Sequence, residues 1–541
     1  MVVPELRPWR AAGPHVVRIA DTVRPRLARA AETLRPRLAR VAGAGRPRFA
    51  RPDGPGSPRV PRVARPKTWQ FTATAATAGL ALAAGVVTAA GPWDSTGQRT
   101  AERDRAVTLE AARGTDHGAA RGHAGTPPRG PRAAPPATSV LTGLGGTATT
   151  GGPAPGAKAL TAALDPLLTS PALGRRSVAV VDAATGKRLY GTRSGDALTP
   201  ASTTKIATAV AALSAMGADH RLTTRAVFEP DTEEVVLVGG GDPTLTARKD
   251  TGGLAGLRDL AARTAAALAK RGVREVTLSY DTTLYQGGGA HPIGVNPNLA
   301  AITPLMADEA RTDDSTSGPA PRVADPAADA ARTFGDLLGD HGIETTPPGP
   351  SKATTRAGTL ATVSSPPLAA LVERMLTESD NDLAEALARH TALATGERAD
   401  FAGAGRAVTA QLKKLRLPVK GAVFKDGSGL DRRDRLTADL LTALLVKAGD
   451  PAHPELRPAL TGLPVAGFTG TLSGRYADGA AGVVRAKTGT LTGVNSLAGT
   501  VVDRDGRLLA FAFLANGTTN PAAAQTALDR AATALAGCGC R

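Results

Sequence analysis

Three short strings, far apart but in a fixed order, constrain this 541-residue chain more than any other feature. They are Ser202-Thr203-Thr204-Lys205, Ser379-Asp380-Asn381 and Lys487-Thr488-Gly489-Thr490. For them to act together, a fold must gather a hydroxyl, two amines and an amide from three distant segments around one groove. Each string alone is weak, because Ser, Thr, Gly and Lys meet at such spacings by chance. In this order, each in a suitable local setting, they point to serine acyl transfer.

The local settings support that reading. Pro200-Ala201 precede Ser202, and Ile206, Val210 and Leu213 predict a helix with a buried face starting just before the serine. Ser202 and Lys205, three residues apart, then stand on one face. A serine hydroxyl is a poor nucleophile until a base takes its proton. A lysine serves as that base only when neutral, which burial and neighbouring cations favour. The helix N-terminus also offers the Ser202 N–H to a developing oxyanion. An ordinary N-cap serine beside a solvated lysine gives the same string.

Ser379-Asp380-Asn381 falls between helical patterns at 367–377 and 383–395, and so on a short loop. There Ser379 can relay a proton to the leaving group and Asn381 can hold a substrate amide, or the three can cap the next helix. Lys487 to Thr490 follow Val483-Val484-Arg485-Ala486 and lie on a strand. Lys487 and Thr488 are expected to face the cleft and bind a carboxylate. Gly489 is expected to let a substrate backbone approach, and Thr490 to donate a second N–H to the oxyanion. An edge-strand lysine beside a turn is the plain alternative.

Charge is concentrated at one end. Residues 1–67 hold sixteen Lys or Arg against four Asp or Glu, which accounts for twelve of the net +17. With aromatics at only 3%, no specific nucleic-acid partner is expected. Residues 1–66 repeat Arg24-Pro25-Arg26-Leu27-Ala28-Arg29 at Arg35 and, as Arg46-Pro47-Arg48-Phe49-Ala50-Arg51, at Arg46. Recurrent proline forbids a continuous helix, so this reads as a disordered cationic arm. Residues 67–92 follow, uncharged from Phe71 to Gly91 and long enough to cross a bilayer. The arm would then lie in the cytoplasm, with the rest of the chain outside a cell membrane; secretion after signal cleavage is the alternative. Residues 93–156 are a linker rich in Gly, Pro and Ala.

Order is expected from 157. A hairpin near 177–191 and another with Asp505-Gly506 at its turn suggest one antiparallel sheet completed by both ends of the ordered region. Residues 223–345 alternate strand and helix patterns and read as an inserted domain between 157–222 and 346–541. No metal or cofactor is expected. The histidines are scattered without His-Glu-x-x-His, and Gly239-Gly240-Gly241-Asp242-Pro243 lacks a phosphate-loop ending. Asp426-Gly427-Ser428-Gly429 does not fit a nucleophile elbow. Cys538 and Cys540 read as an incidental tail.

On these motifs the chain resembles D-alanyl-D-alanine carboxypeptidases of the penicillin-binding-protein-4 type, the low-molecular-mass class C group. The resemblance extends through Gly240 to Leu245, Lys425 to Leu430, Leu463 to Gly467 and Lys487 to Leu491. It implies an α/β, transpeptidase-like fold, an antiparallel sheet flanked by helices with a smaller α/β insertion. It also implies Ser202 as nucleophile, Lys205 as base and Ser379 as proton relay, with Asn381, Lys487, Thr488, Gly489 and Thr490 at the substrate. The implied substrate is a peptidoglycan stem peptide or crosslink, and β-lactams would acylate the same serine. A β-lactamase or esterase on the same site is the near rival, and a non-catalytic wall-binding protein the distant one. The basic arm is a departure from the family pattern.

Overall fold

The computed structural model describes residues 154–476 and 479–539. The arm, the uncharged segment and nearly all of the linker lie outside the described residues. Among the described residues, no helix is long and apolar enough to cross a membrane.

The chain begins with helix α1 (Ala157–Leu168), strands β1 (Arg175–Asp182) and β2 (Arg188–Thr192), and helix α2 (Thr204–Met216). An insertion follows: β3 (Thr223–Glu229), β4 (Glu234–Val238), α3 (Leu257–Ala269), β5 (Glu275–Asp281), α4 (Pro326–Gly339), and the short strands β6 (Glu344–Thr345), β7 (Gly349–Pro350) and β8 (Gly358–Ser364). Helices α5 (Leu368–Thr377), α6 (Asn381–Ala394), α7 (Phe401–Lys414), α8 (Ala438–Ala448) and the single turn α9 (Pro458–Thr461) come next. Strands β9 (Val484–Leu491), β10 (Val494–Val502) and β11 (Leu508–Asn516) and helix α10 (Pro521–Ala536) complete it.

Strands from both ends build one antiparallel sheet, ordered β2-β1-β11-β10-β9, as the two hairpins suggested. Alternation along β11 sorts its side chains onto two faces. Leu509, Phe511, Phe513 and Ala515 pack with Leu160 and Leu164 of α1 and with Leu528 and Leu535 of α10. Ala510, Ala512 and Leu514 face α2, α5, α6 and α8. The small residues on that second face let helices pack closely over the sheet. Helix α2 is therefore buried all round from Thr204 to Leu213, the signature of a central helix. Cys538, read as incidental, is disulfide-bonded and buried in the first cluster, where a sulfur packs as a small apolar group.

The insertion has its own sheet, β6-β5-β4-β3-β8 with β7 also on β5, covered by α3 and α4. Its expected end at 345 moves to 364, because β8 pairs antiparallel with β3 from Thr223↔Ser364 onward. The entering and leaving strands are tied at the boundary. Leu222 N donates to Ser365 Oγ at 2.9 Å, and Ser365 N donates to Leu222 O at 2.8 Å.

Candidate active site

Ser202 lies in a single 3₁₀ turn, Ala201–Thr203, that runs directly into α2. Ala201 is fully buried with φ +50°, a conformation that costs a non-glycine residue about 1 kcal/mol or more and survives only when neighbours enforce it. Two glycines do so by closeness. A Cβ on Gly429, itself at φ +84°, would overlap the Ala201 carbonyl; one on Gly489 would lie 2.6 Å from Pro200 O and overlap Ser496 Oγ. Ser496 Oγ and Thr203 Oγ1 both donate to that Pro200 carbonyl, at 2.6 and 2.8 Å.

Lys205 is fully buried one turn on. Its Nζ donates to Ser202 Oγ at 3.2 Å, Asn381 Oδ1 at 2.7 Å and the Ser428 carbonyl at 2.8 Å. Burial pushes the amine down from 10.5 to about 8, against the opposing pull of Asp426, Asp380, Glu385 and Asp382. At mildly alkaline pH a large fraction is therefore a neutral base in contact with the serine. The Ser428 carbonyl is aimed by two buried carboxylates. Glu385 Oε1 accepts from Gly427 N and Ser428 N at 3.0 Å each, while Asp426 accepts from Gly429 N and Asp431 N at 2.6 Å each. Asp426 also meets His291 Nε2 at 3.0 Å, and Glu385 is backed by Arg389 at 3.2 Å.

The 379–381 loop faces this pair. Ser379 adopts φ +60° and lines a cleft of about 260 Å³ together with Ser202, Asn381, Thr490, Asn298 and Arg322. Asp380 turns inward and caps α6, accepting from Leu383 N at 2.9 Å. Asn381, expected to hold a substrate amide, has both ends engaged within the protein. Its Oδ1 takes the Lys205 bond, and its Nδ2 donates to Asn298 O of the insertion at 2.8 Å. It holds the Lys205 amine in place. The insertion also fixes Asp382, which accepts from Ala300 N and Arg322 Nη1 at 2.9 Å each.

On β9 the expectations need correcting. Of Lys487, Thr488, Gly489 and Thr490, only Thr490 lines the cleft. Successive side chains on a strand point to opposite faces, so Lys487 and Thr488 cannot both turn the same way. Lys487 is fully buried and donates to the Thr488 carbonyl at 3.0 Å. Burial, then the Lys205 and Arg475 charges, hold its amine well below the usual lysine range. Thr488 Oγ1 donates to Thr471 Oγ1 at 2.9 Å. Gly489 admits the protein's own Ser202 turn, not a substrate. The backbone edge is different. Ala486 N donates outward to Pro464 O, and Ala466 N to the outward Val484 carbonyl. A period of two then turns the Thr490 N–H to the same edge, at the cleft.

Among the described residues, two clusters bring three ligand-type atoms within 4.8 Å, His291-Glu385-Asp426 and Glu309-Asp380-Asp382. Their oxygens are engaged by backbone N–H groups, arginines and each other, an ion-pair arrangement. Sequence reasoning missed the contributions of Asn298, Glu385, Ser428 and Arg322. Only Ser428 lay in a string already singled out, and it acts through its carbonyl.

A family model described as D-Ala-D-Ala carboxypeptidase 3 (S13) matches residues 160–298 and 304–536. A carboxypeptidase of Mycobacterium tuberculosis is 38% identical over 404 residues, covering 71% of this chain and 85% of that protein. A D-alanyl-D-alanine carboxypeptidase of an Actinomadura strain is 31% identical over 453 residues, covering 66% and 81%. The crystal structure of penicillin-binding protein 4 from Haemophilus influenzae matches with TM-score 0.55 at 21% identity, covering 67% of this chain and 94% of that one.

Proposed function

The chain belongs to the D-Ala-D-Ala carboxypeptidase 3 (S13) family, and on that premise we propose that Ser202 is the acylated nucleophile of a serine carboxypeptidase acting on peptidoglycan stem peptides. The observation that carries the assignment is the buried Lys205 amine, bonded at once to Ser202 Oγ and Asn381 Oδ1.

Neutral Lys205 takes the Ser202 proton as Oγ attacks the carbonyl carbon of the penultimate D-alanine. The Ser202 and Thr490 N–H groups receive the oxyanion. Collapse breaks the C–N bond, and the departing amine receives a proton from the Lys205 ammonium through Ser379. Water then cleaves the ester, with Lys205 again as base. Lys487, on the same face of β9 as Gly489 and so on the side of α2 and the Ser202 turn, holds the Thr488 carbonyl and so the edge along which a substrate would lie. A crosslinking peptide presents the same carbonyl, so endopeptidase cleavage needs no different chemistry. The uncharged stretch 71–91 behind a basic arm supports a catalytic domain held outside the cell membrane, where such peptides are found.

Mass spectrometry after incubation with benzylpenicillin tests the assignment. A stable adduct is expected on the peptide containing Ser202 and is lost in Ser202→Ala. An adduct on another residue overturns it, and rapid penicillin turnover without an accumulating adduct favours a β-lactamase.

A further inference from the structure

The string Gly240 to Leu245 has no part in the steps above, yet the structure gives it a mechanical task. It carries the turn Asp308–Ala310 of the insertion. Asp308 N donates to Leu245 O at 2.7 Å and Glu309 N to Pro243 O at 2.9 Å. Asp308 in turn accepts from Thr246 Oγ1 at 2.6 Å and from Ala247 N at 3.0 Å. Asp308, Glu309 and Ala310 have φ +50°, +54° and +56°. Three successive non-glycine residues in the left-handed region cost about 1 kcal/mol or more each. A turn so over-determined calls for a reason, and its product is the placement of one carboxylate.

That carboxylate is Glu309, buried and gripped by Arg311 Nε at 2.8 Å and Arg374 Nη2 at 2.7 Å. One of its oxygens lies within 4.8 Å of a carboxyl oxygen of Asp380, the residue between Ser379 and Asn381, and Arg374 reaches that carboxyl too, at 3.6 Å. Two carboxyl oxygens can bond only through a proton, and burial side by side strongly raises the pKa of one of two carboxylates. We propose that Glu309 is a positioning residue for acylation, its carboxylate holding Asp380 through one shared proton and thereby setting Ser379 and Asn381 over Ser202. This rests on the catalytic reading of Ser202.

Burial, then the Glu309 charge and hydrogen bond, raise the Asp380 carboxyl well above the usual range. For Glu309, burial pushes upward, but the bond from Asp380 and the arginine charges outweigh it and hold it low. The pair is faced by Arg311, Arg374 and Glu378, by Arg322, Asp382 and Asp242, and by Lys205 from α2. Loss of the shared proton at alkaline pH would set two carboxylates against each other and free the loop.

The test is the acylation rate of Ser202 by a fluorescent penicillin across a pH series, with thermal melting of each variant. Glu309→Ala is expected to acylate at least tenfold more slowly than the parent while still melting cooperatively. Asp380→Asn, whose amide can donate to Glu309 without a titrating proton, is expected to acylate at least fivefold faster than Asp380→Ala. The parent's rate should fall at alkaline pH, and that descending limb should be absent in Asp380→Asn. Equal rates for Asp380→Asn and Asp380→Ala, a retained limb, or a folded Glu309→Ala at parent rate would each overturn the proposal. If Glu309→Ala fails to fold, the two Asp380 variants decide. A parent never labelled at Ser202 overturns the catalytic reading and this inference with it; a labelled parent with indifferent variants overturns the inference alone.

Discussion

The turn carrying Ser202 and the loop carrying Ser379 each hold a non-glycine residue at positive φ, Ala201 at +50° and Ser379 at +60°. They are held by opposite means. At Ala201 the contacts are steric, with Gly429 and Gly489 against the backbone and Ser496 bonding the Pro200 carbonyl, and the carboxylate behind Gly429, Asp426, is held below the usual carboxylate range. Around Ser379 the restraint is a buried set of carboxylates and arginines, much of it supplied from the insertion through Asn298, Glu309 and Arg322. A steric clamp does not respond to pH. A charged one does, so the Ser202 turn is fixed while the loop facing it is open to adjustment.

The sharpest break of this comparison is Gly429→Ala. Its Cβ would overlap the Ala201 carbonyl at φ +84°, so unfolding in urea should show a loss of about 4 kcal/mol that is the same at pH 6 and pH 8. A loss under about 1 kcal/mol would mean that contact is not what enforces the turn. Arg322→Ala is next. It strands the buried Asp382, which burial has already raised to about 6, and should cost about 3 kcal/mol at pH 8. An unpaired carboxylate is costly only when ionised, and losing Arg322 raises Asp382 further, so that loss should shrink as pH falls from 8 towards 6 and be smallest below it. A loss independent of pH would remove the contrast between the two regions. The smallest effect is the titration of Lys205. Acylation should rise about tenfold per pH unit up to about 8, worth roughly 1.4 kcal/mol per unit, and flatten there before the alkaline fall expected from the Glu309–Asp380 pair. A flat profile from pH 6 to 8 would show that the neutral amine is not the base.

The parts legible in the sequence were those governed by local rules. Ser202 and Lys205 could be put on one helical face because a spacing of three suffices. Asp380 could be read as a cap because capping is a short-range bond. Strand order was legible where hairpin turns announced it. Opaque were the contacts set by tertiary approach. Gly489 was assigned to substrate because nothing local shows that Pro200 lies against it. Their motif spacing aims Lys487 and Thr488 at one cleft, whereas strand alternation separates them. The insertion's end was misplaced because β8 pairs with β3, more than a hundred residues earlier, and Glu309 escaped notice because its partner Asp380 lies seventy-one positions away in sequence.

The sheet that backs the active site joins β1 to β11, Arg175 to Asn516. A ribosome delivers the serine long before it delivers the strands that frame it, β9 with Gly489 and β10 with Ser496. Until those arrive, the Ser202 turn lacks Gly489 and Ser496, two of the groups packed and bonded against it. The pocket around the serine is thus completed only by strands synthesised well after it.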